Sequence, residues 1–160
     1  FSSPDNQWWA PGKVMLFPGT AGAYYAPVIR WTAPYDMTVS VDALFYGCED
    51  GTTTDVHVLL NGDMYDGPSY TGSLMDGIID GNYGYAPLGI APTGTSNNVP
   101  YNAVLSLNEG DKLDFVVNYG PDVSIAGDLT GLDATITLIP EPATMSLLGL
   151  GALALLRKRR

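Results

Sequence analysis

Apolar and polar side chains alternate at a spacing of two along several stretches of the chain, which is the pattern of β-strands that bury one face. The stretch 37–46 places its apolar side chains on one face, opposite Thr38, Ser40 and Asp42. The same period recurs over residues 55–60, 112–119 and 132–138, and none of these windows has an apolar stripe of helical spacing. We therefore predict an all-β body. Its buried faces are Met37, Val39, Val41, Ala43 and Phe45; Val56, Val58 and Leu60; Leu113, Phe115, Val117 and Tyr119; and Leu132, Ala134, Ile136 and Leu138.

Turn-forming residues separate these stretches. Gly and Pro together occupy 31 of the 160 positions, a composition that suits short strands joined by tight turns. Asn61-Gly62 directly follows a strand and is the preferred pair for a two-residue hairpin turn. Asn108-Glu109-Gly110 predicts another turn, whereas residues 67–100 show little alternation and predict long loops with two short strands. Eight or nine strands at this spacing predict a jelly-roll-like antiparallel β-sandwich.

The chain is acidic, and its charged residues are unevenly distributed. The net charge is −10, although four of the seven basic residues are Arg157, Lys158, Arg159 and Arg160. Residues 1–139 hold three basic residues against sixteen acidic ones, a net charge of −13. Such a surface repels phosphate backbones, which argues against nucleic acid as a partner. The single cysteine, Cys48, excludes an internal disulfide and a cysteine-based zinc site.

The C-terminal tail has three parts in order. Pro140-Glu141-Pro142 is followed by the uncharged, mostly apolar segment 143–156, and then by the four basic residues. As a helix, the apolar segment would reach about 21 Å at roughly 1.5 Å per residue, short of the roughly 30 Å of a bilayer core. We predict a short hydrophobic helix that spans a membrane only with strain, with its basic end on the cytoplasmic side.

This order of elements resembles the PEP-CTERM sorting signal of Gram-negative bacteria. The resemblance covers residues 139–160 and lacks no element of the signal. It implies an exported protein that is transiently anchored in the inner membrane and cleaved by an exosortase, with Pro140, Glu141 and Pro142 as the sorting motif. It divides the chain into a sandwich domain, residues 1–139, and a sorting signal, residues 140–160. The mature protein is then expected at the cell surface or outside the cell.

The body has a resemblance of its own, carried by residues 9–14, 28–34, 53–58, 60–62, 109–115 and 130–136. These segments are similar to a β-rich domain that precedes the sorting signal in planctomycete and related PEP-CTERM proteins. The resemblance covers most of residues 8–139. It implies a jelly-roll sandwich and an envelope location, and it transfers no site residues to this chain.

Few reactive side chains are available for catalysis. His57 is the only histidine and lies on the strand face opposite Val56 and Val58, beside Asp55. Its position is compatible with general acid-base chemistry and with a cross-strand polar contact, and we predict the contact. No nucleophile elbow, phosphate-binding loop or His/Glu metal motif occurs. The expected protein is therefore not an enzyme and has no catalytic residues.

Two ligands suit the acidic and aromatic residues. Calcium takes several oxygen ligands from flexible loops, and sugars stack on exposed aromatic rings. Two functions stay open at this point: a structural surface or matrix component, and a carbohydrate-binding module, stabilised by calcium, with polysaccharide as its partner. The calcium candidates fall into three groups by their closeness along the chain, which are Glu49 and Asp50 with Asp55, Asp76 with Asp80 and Asn82, and Asp128 with Asp133. The sugar-binding candidates are Tyr65, Tyr70, Tyr83, Tyr85 and Tyr101.

Overall fold

The computed structural model describes residues 13–19, 26–49, 51–62, 70–81, 98–122 and 124–140, and these residues form eight β-strands. All strand pairs are antiparallel, so the all-β prediction is confirmed. The predicted C-terminal helix and most of the sorting signal lie outside the described residues. The strands are β1 (Val14–Leu16), β2 (Val28–Thr32), β3 (Met37–Gly47), β4 (Thr52–Leu60), β5 (Ser73–Gly81), β6 (Val99–Leu107), β7 (Lys112–Tyr119) and β8 (Thr130–Ile139).

The strands form two four-stranded sheets with the orders β1-β8-β3-β6 and β2-β7-β4-β5. Only β4 and β5 are consecutive strands within one sheet, and every other connection crosses from one sheet to the other. Two sheets stacked in this way bury the side chains on their facing sides. The architecture is a jelly-roll-like antiparallel β-sandwich.

The hydrophobic core lies between the sheets and uses the faces that the alternation predicts. Phe45 of β3 and Phe115 of β7 meet across it, with ring centroids 6.4 Å apart and planes tilted by 48°. The pattern weakens along β8, where Leu132 is buried but Leu138 is 47% exposed. Among the described strands, β1 pairs with β8 only from Thr130 to Leu132, so it flanks just the first part of β8. The other buried core residues from the predicted faces are Val39, Val41, Ala43, Val56, Val58, Leu113 and Val117.

The hairpin predicted at Asn61-Gly62 is wrong, because β5 begins only at Ser73. Asn61 has the positive φ, 52°, that such turns require, but it is bonded to the start of β7 instead. The N–H of Asn61 donates to the carbonyl oxygen of Lys112, and the Lys112 N–H donates to Asn61 Oδ1, both at 2.8 Å. Gly62 is needed here because a Cβ would collide with the Thr71 carbonyl oxygen.

Residues 67–100, predicted as long loops with two short strands, include the nine-residue β5 and the first two residues of β6. Alternation is poor along β5 because the inward position Gly77 has no side chain and because the apolar Leu74 and Ile78 are 37% and 44% exposed. The space that a Cβ at Gly77 would need is filled by Val99, whose Cγ1 would lie 2.5 Å away. The turn predicted at residues 108–110 is confirmed, since β6 ends at Leu107, β7 begins at Lys112, and Gly110 has a φ of 86°.

A second, smaller hydrophobic cluster lies on the side of the β3–β8 pair that faces away from the main core. Tyr46 of β3 is directly opposite Gly131 of β8 in the ladder, and it packs with Cys48 and Leu129. The ring occupies the space that a side chain at position 131 would need, because a Cβ there would collide with Cζ, Cε2 and Oη of Tyr46. Tyr46 is only 1% exposed.

Candidate functional site

The outer face of the β4–β5 pair carries a cluster of polar side chains. Asp55 and His57 are two residues apart on β4, so they project from the same face. Asp76 of β5 lies directly opposite His57 in the ladder, which brings its carboxylate to the same point. The strand register thus joins two of the calcium candidates, Asp55 and Asp76, through the imidazole of His57.

His57 contacts a carboxylate through each ring nitrogen. Its Nδ1 lies 2.6 Å from Asp76 Oδ1. Its Nε2 lies 2.9 Å from Asp55 Oδ2, as an ion pair without the alignment of a hydrogen bond. The ring is 4% exposed, and the ring of Tyr70 lies against it with a centroid distance of 3.9 Å. His57 therefore makes the cross-strand polar contact predicted from the sequence.

Hydrogen bonds hold the partners of His57 in place. Ser73 Oγ donates to Asp76 Oδ1 at 2.7 Å, and Asn118 Nδ2 of β7 donates to the Tyr70 hydroxyl oxygen at 2.7 Å. Tyr70 is half-buried, so one face of its ring is committed to His57. The cluster therefore ties three neighbouring strands of one sheet together.

The two carboxylates set the charge of His57. Burial alone would lower its pKa, but Asp55 and Asp76 outweigh burial and raise the pKa of His57 above its usual value of 6.5. The hydrogen bond from His57 in turn lowers the pKa of Asp76. The arrangement stabilises an imidazolium ion between two carboxylates, and both nitrogens that would exchange protons with a substrate are occupied by protein groups.

A second polar site lies where the turn between β3 and β4 meets the connection between β7 and β8. A carboxylate from each side accepts a hydrogen bond from a backbone N–H on the other side. Glu49 Oε2 accepts from the Leu129 N–H at 3.3 Å, and Asp128 Oδ1 accepts from the Thr53 N–H at 2.8 Å. A backbone bond from Cys48 N–H to Leu129 O, at 2.7 Å, lies beside them. We call this region the acidic edge and define it by Glu49, Asp122 and Asp128.

Asp128 is the unusual member of the acidic edge. The residue is 0% exposed, and its Oδ2 has no hydrogen-bond partner among the residues that the structure describes. The pKa of its carboxyl is raised to about 6, mainly by burial and also by the negative charges of Asp122 and Glu49, while the Thr53 hydrogen bond acts in the opposite direction. A buried carboxylate oxygen without a partner is costly, and such groups call for an explanation.

The remaining calcium candidates are dispersed. Asp133 forms an ion pair with Lys13 at 2.5 Å, and Asp80 is exposed on β5; Asp50 lies outside the described residues. Within the described ranges, no three His, Cys, Asp or Glu side chains converge on a point that could hold a metal ion. Closeness in sequence grouped Asp128 with Asp133 and Glu49 with Asp55. The strand pairing groups Glu49 with Asp128, and Asp55 with Asp76.

The tyrosines proposed as a sugar platform are in different places. Tyr70 packs against His57, whereas Tyr101 of β6 is partly buried against the main core. Tyr65, Tyr83 and Tyr85 lie outside the described residues. The thiol of Cys48 is buried, and burial raises its pKa to about 12, so it is a poor nucleophile.

The tail begins directly at the end of the sheet. β8 is bonded to β3 up to its last residue, Ile139, which lies opposite Thr38. Pro140 follows and is exposed. None of the residues that the structure describes belongs to a helix long and apolar enough to cross a membrane. The chain is thus an acidic β-sandwich protein with its tail attached to an inner strand of one sheet.

Comparison with protein families identifies that tail. Residues 138–160 match the family model of the PEP-CTERM protein-sorting motif. The chain therefore carries a PEP-CTERM signal, which indicates an exported protein that interacts transiently with an exosortase and passes through a membrane-anchored state before cleavage. The match begins at Leu138, so its first two residues belong to β8. The similarity of the body to the planctomycete-type domain stays a prediction.

Two further comparisons add no argument about function. A comparison with curated proteins found no match. Among solved structures, the chain is similar to the insecticidal delta-endotoxin Cry8Ea1 from Bacillus thuringiensis, with 12% identity and a TM-score of 0.39. That match covers 87% of this chain and 26% of the toxin chain, so the chain spans about a quarter of the toxin's length.

Proposed function

We propose that this chain is an exported surface or extracellular-matrix protein whose sandwich has a structural or adhesive, non-catalytic role after an exosortase has removed the tail. The observation that carries the proposal is the position of the family match, which starts at Leu138, the next-to-last residue of β8, just before Pro140 begins the tail. Cleavage close to Pro140 would then leave the sandwich intact.

The physical properties of the tail support cleavage. Pro140 and Pro142 have no amide donor and favour an extended chain, so β8 cannot continue into the following segment. An exposed, extended peptide is also the form that a protease binds. Gly149 and Gly151 would lower the stability of the short apolar helix predicted from the sequence, which would make it better suited to a temporary anchor than to a permanent one.

The environment of His57 supports a role without catalysis. Its two ring nitrogens face Asp55 and Asp76, and its ring is covered by Tyr70. A general acid or base must reach the proton of a substrate, and this imidazole is enclosed by its own neighbours. The cluster stabilises the sheet and keeps its outer face ordered.

Intact mass measurement of the protein from its native envelope tests the proposal. We expect the wild-type chain to end close to Pro140-Glu141-Pro142 and to lack the four basic residues. Glu141→Ala should leave the full tail in place and hold the protein in the membrane fraction. Glu109→Ala, which removes an exposed carboxylate from the β6–β7 turn, should be cleaved like the wild type. A wild-type chain that still ends at Arg160 would contradict the proposal.

Carbohydrate binding is the second candidate function. It is favoured by the position of Tyr70 on the outer face of a sheet, beside Ser73, Asp76 and Asn118, because aromatic rings flanked by amides and carboxylates suit sugars. A glycan array with the full chain separates the two candidates. Binding that Tyr70→Ala abolishes, with folding preserved, supports the module, whereas an array without signal supports the structural role.

A further inference from the structure

The acidic edge combines three features at one place in the fold. Asp128 presents a fully buried carboxylate with one oxygen that has no hydrogen-bond partner within the described ranges. Glu49 reaches the neighbouring residue, Leu129, from the opposite segment. Asp122 lies in the same β7–β8 connection, where its Oδ1 accepts from the Ser124 N–H at 3.1 Å. The negative charges of Asp122 and Glu49 both act on the Asp128 carboxyl, and a bound cation would relieve this repulsion.

We propose that the acidic edge is a calcium site that fastens the β3–β4 turn to the β7–β8 connection. The unpartnered Asp128 Oδ2 is the central ligand, and Glu49 supplies the second carboxylate. Backbone carbonyl oxygens of the two segments and water complete the coordination, and Asp122 adds negative charge at the exposed rim. The site does not depend on the sorting or sugar-binding proposals, and it joins residues that the sequence assigned to separate clusters.

Calcium fits this set better than other common cations. It accepts six to eight oxygen ligands in irregular geometry, whereas magnesium requires a near-ideal octahedron. The site has no imidazole or thiolate that would favour zinc, because its side-chain ligands are carboxylates. Since no three carboxylates converge in the described structure, affinity should be in the weak range of extracellular modules, with a Kd of about 10⁻⁴ to 10⁻³ M.

The hydrogen bonds of the Asp128 and Glu49 carboxylates show which two segments calcium would hold together. The Thr53 N–H and the Leu129 N–H already hold one oxygen of each carboxylate, so both ligands are positioned before the cation arrives. Thr54 and Thr130 hydroxyls lie 2.7 Å apart in the buried layer beneath. A cation bound to both carboxylates would neutralise the buried charge and cross-link two segments that are about 80 residues apart in sequence.

Thermal unfolding of the full chain, in chelator and in calcium, tests the proposal with two matched variants. Asp128→Asn removes the central carboxylate with little change of shape. Asp42→Asn removes the same charge from the exposed side of β3. At ten times the Kd, calcium should raise the Tm of the wild type and of Asp42→Asn by about 3 °C. Asp128→Asn should not respond, and its Tm in chelator should equal or exceed that of the wild type.

Other results would overturn the site. A wild type that does not respond to millimolar calcium, while Asp128→Asn is more stable than it in chelator, would mean that Asp128 binds only a proton. Equal shifts in all three proteins would mean that calcium acts by charge screening alone.

If Asp128→Asn fails to fold, calcium titrations of the wild type at two pH values test the site instead. Because the pKa of Asp128 is about 6, affinity should be about tenfold weaker at pH 5 than at pH 7. Equal affinities would refute the proposal.

Discussion

Replacing Gly131 by alanine should destabilise the sandwich, although glycine is ordinarily a poor strand residue. In a strand interior, alanine is favoured over glycine by about 0.5–1 kcal/mol. Here the new Cβ would collide with three atoms of the Tyr46 ring, and that ring is 1% exposed, so it cannot turn outward. Overpacking of this kind costs about 1–3 kcal/mol. Because the ring is enclosed by Cys48 and Leu129, we place the collision near 3 kcal/mol and the net loss near 2 kcal/mol.

A double-mutant cycle measured by urea unfolding separates the collision from the backbone effect. In a Tyr46→Val background the ring is absent, and Gly131→Ala should become stabilising by about 0.5–1 kcal/mol. The coupling energy between the two positions should therefore be about 3 kcal/mol. Ala134→Gly, at an exposed position of the same strand, gives the backbone term alone. A Gly131→Ala variant that is as stable as the wild type, or that loses the same stability in both backgrounds, would refute the reasoning.

Two other predictions concern the core and the histidine cluster. Phe115→Ala should reduce the free energy of unfolding by about 3–5 kcal/mol, because Phe115 is 2% exposed and packs against Phe45; a loss below about 1 kcal/mol in urea unfolding would place Phe115 outside the core. For His57, the raised pKa means that its contribution to stability is complete below pH 6.5 and is lost as the pH rises through the folded-state value. The Tm difference between wild type and His57→Gln should therefore shrink as the pH is raised from 6.5 into the alkaline range, and a difference that does not change with pH would exclude a charged His57.

Strands with side chains of opposite character on their two faces were predictable from the sequence. β3, β4 and β7 each direct apolar side chains into the core from one face and carry mostly polar residues on the other, so a period of two reveals both the strand and its core face. Alternation does not reveal β5, because Gly77 occupies an inward position and leaves its space to Val99 of another strand, and because the apolar Leu74 and Ile78 are exposed. The contact between Gly77 and Val99 is a tertiary contact, and it cannot be inferred from the sequence around either residue.

The candidate sites also combine contacts that follow from spacing along one strand with contacts that depend on the tertiary fold. The contact of His57 with Asp55 follows from a spacing of two on one strand, and the sequence indicated it. The contact with Asp76 requires the β4–β5 register, and the approach of Glu49 to the segment of Asp128 requires the crossing of two connections. Distance along the chain therefore could not show which acidic residues lie close together in the fold.

The attachment of the tail to β8 has a mechanical consequence. While the tail holds the protein in the membrane, any pull on the sandwich enters it through Ile139. β8 is an inner strand, bonded to β3 over ten residue pairs from Thr130 to Ile139. A force along the strand axis loads these bonds together in shear, whereas a force across the sheet opens them one pair at a time, beginning at Thr38 and Ile139. The sandwich is thus an anchored body whose resistance to force depends on the direction in which it is drawn away from the membrane.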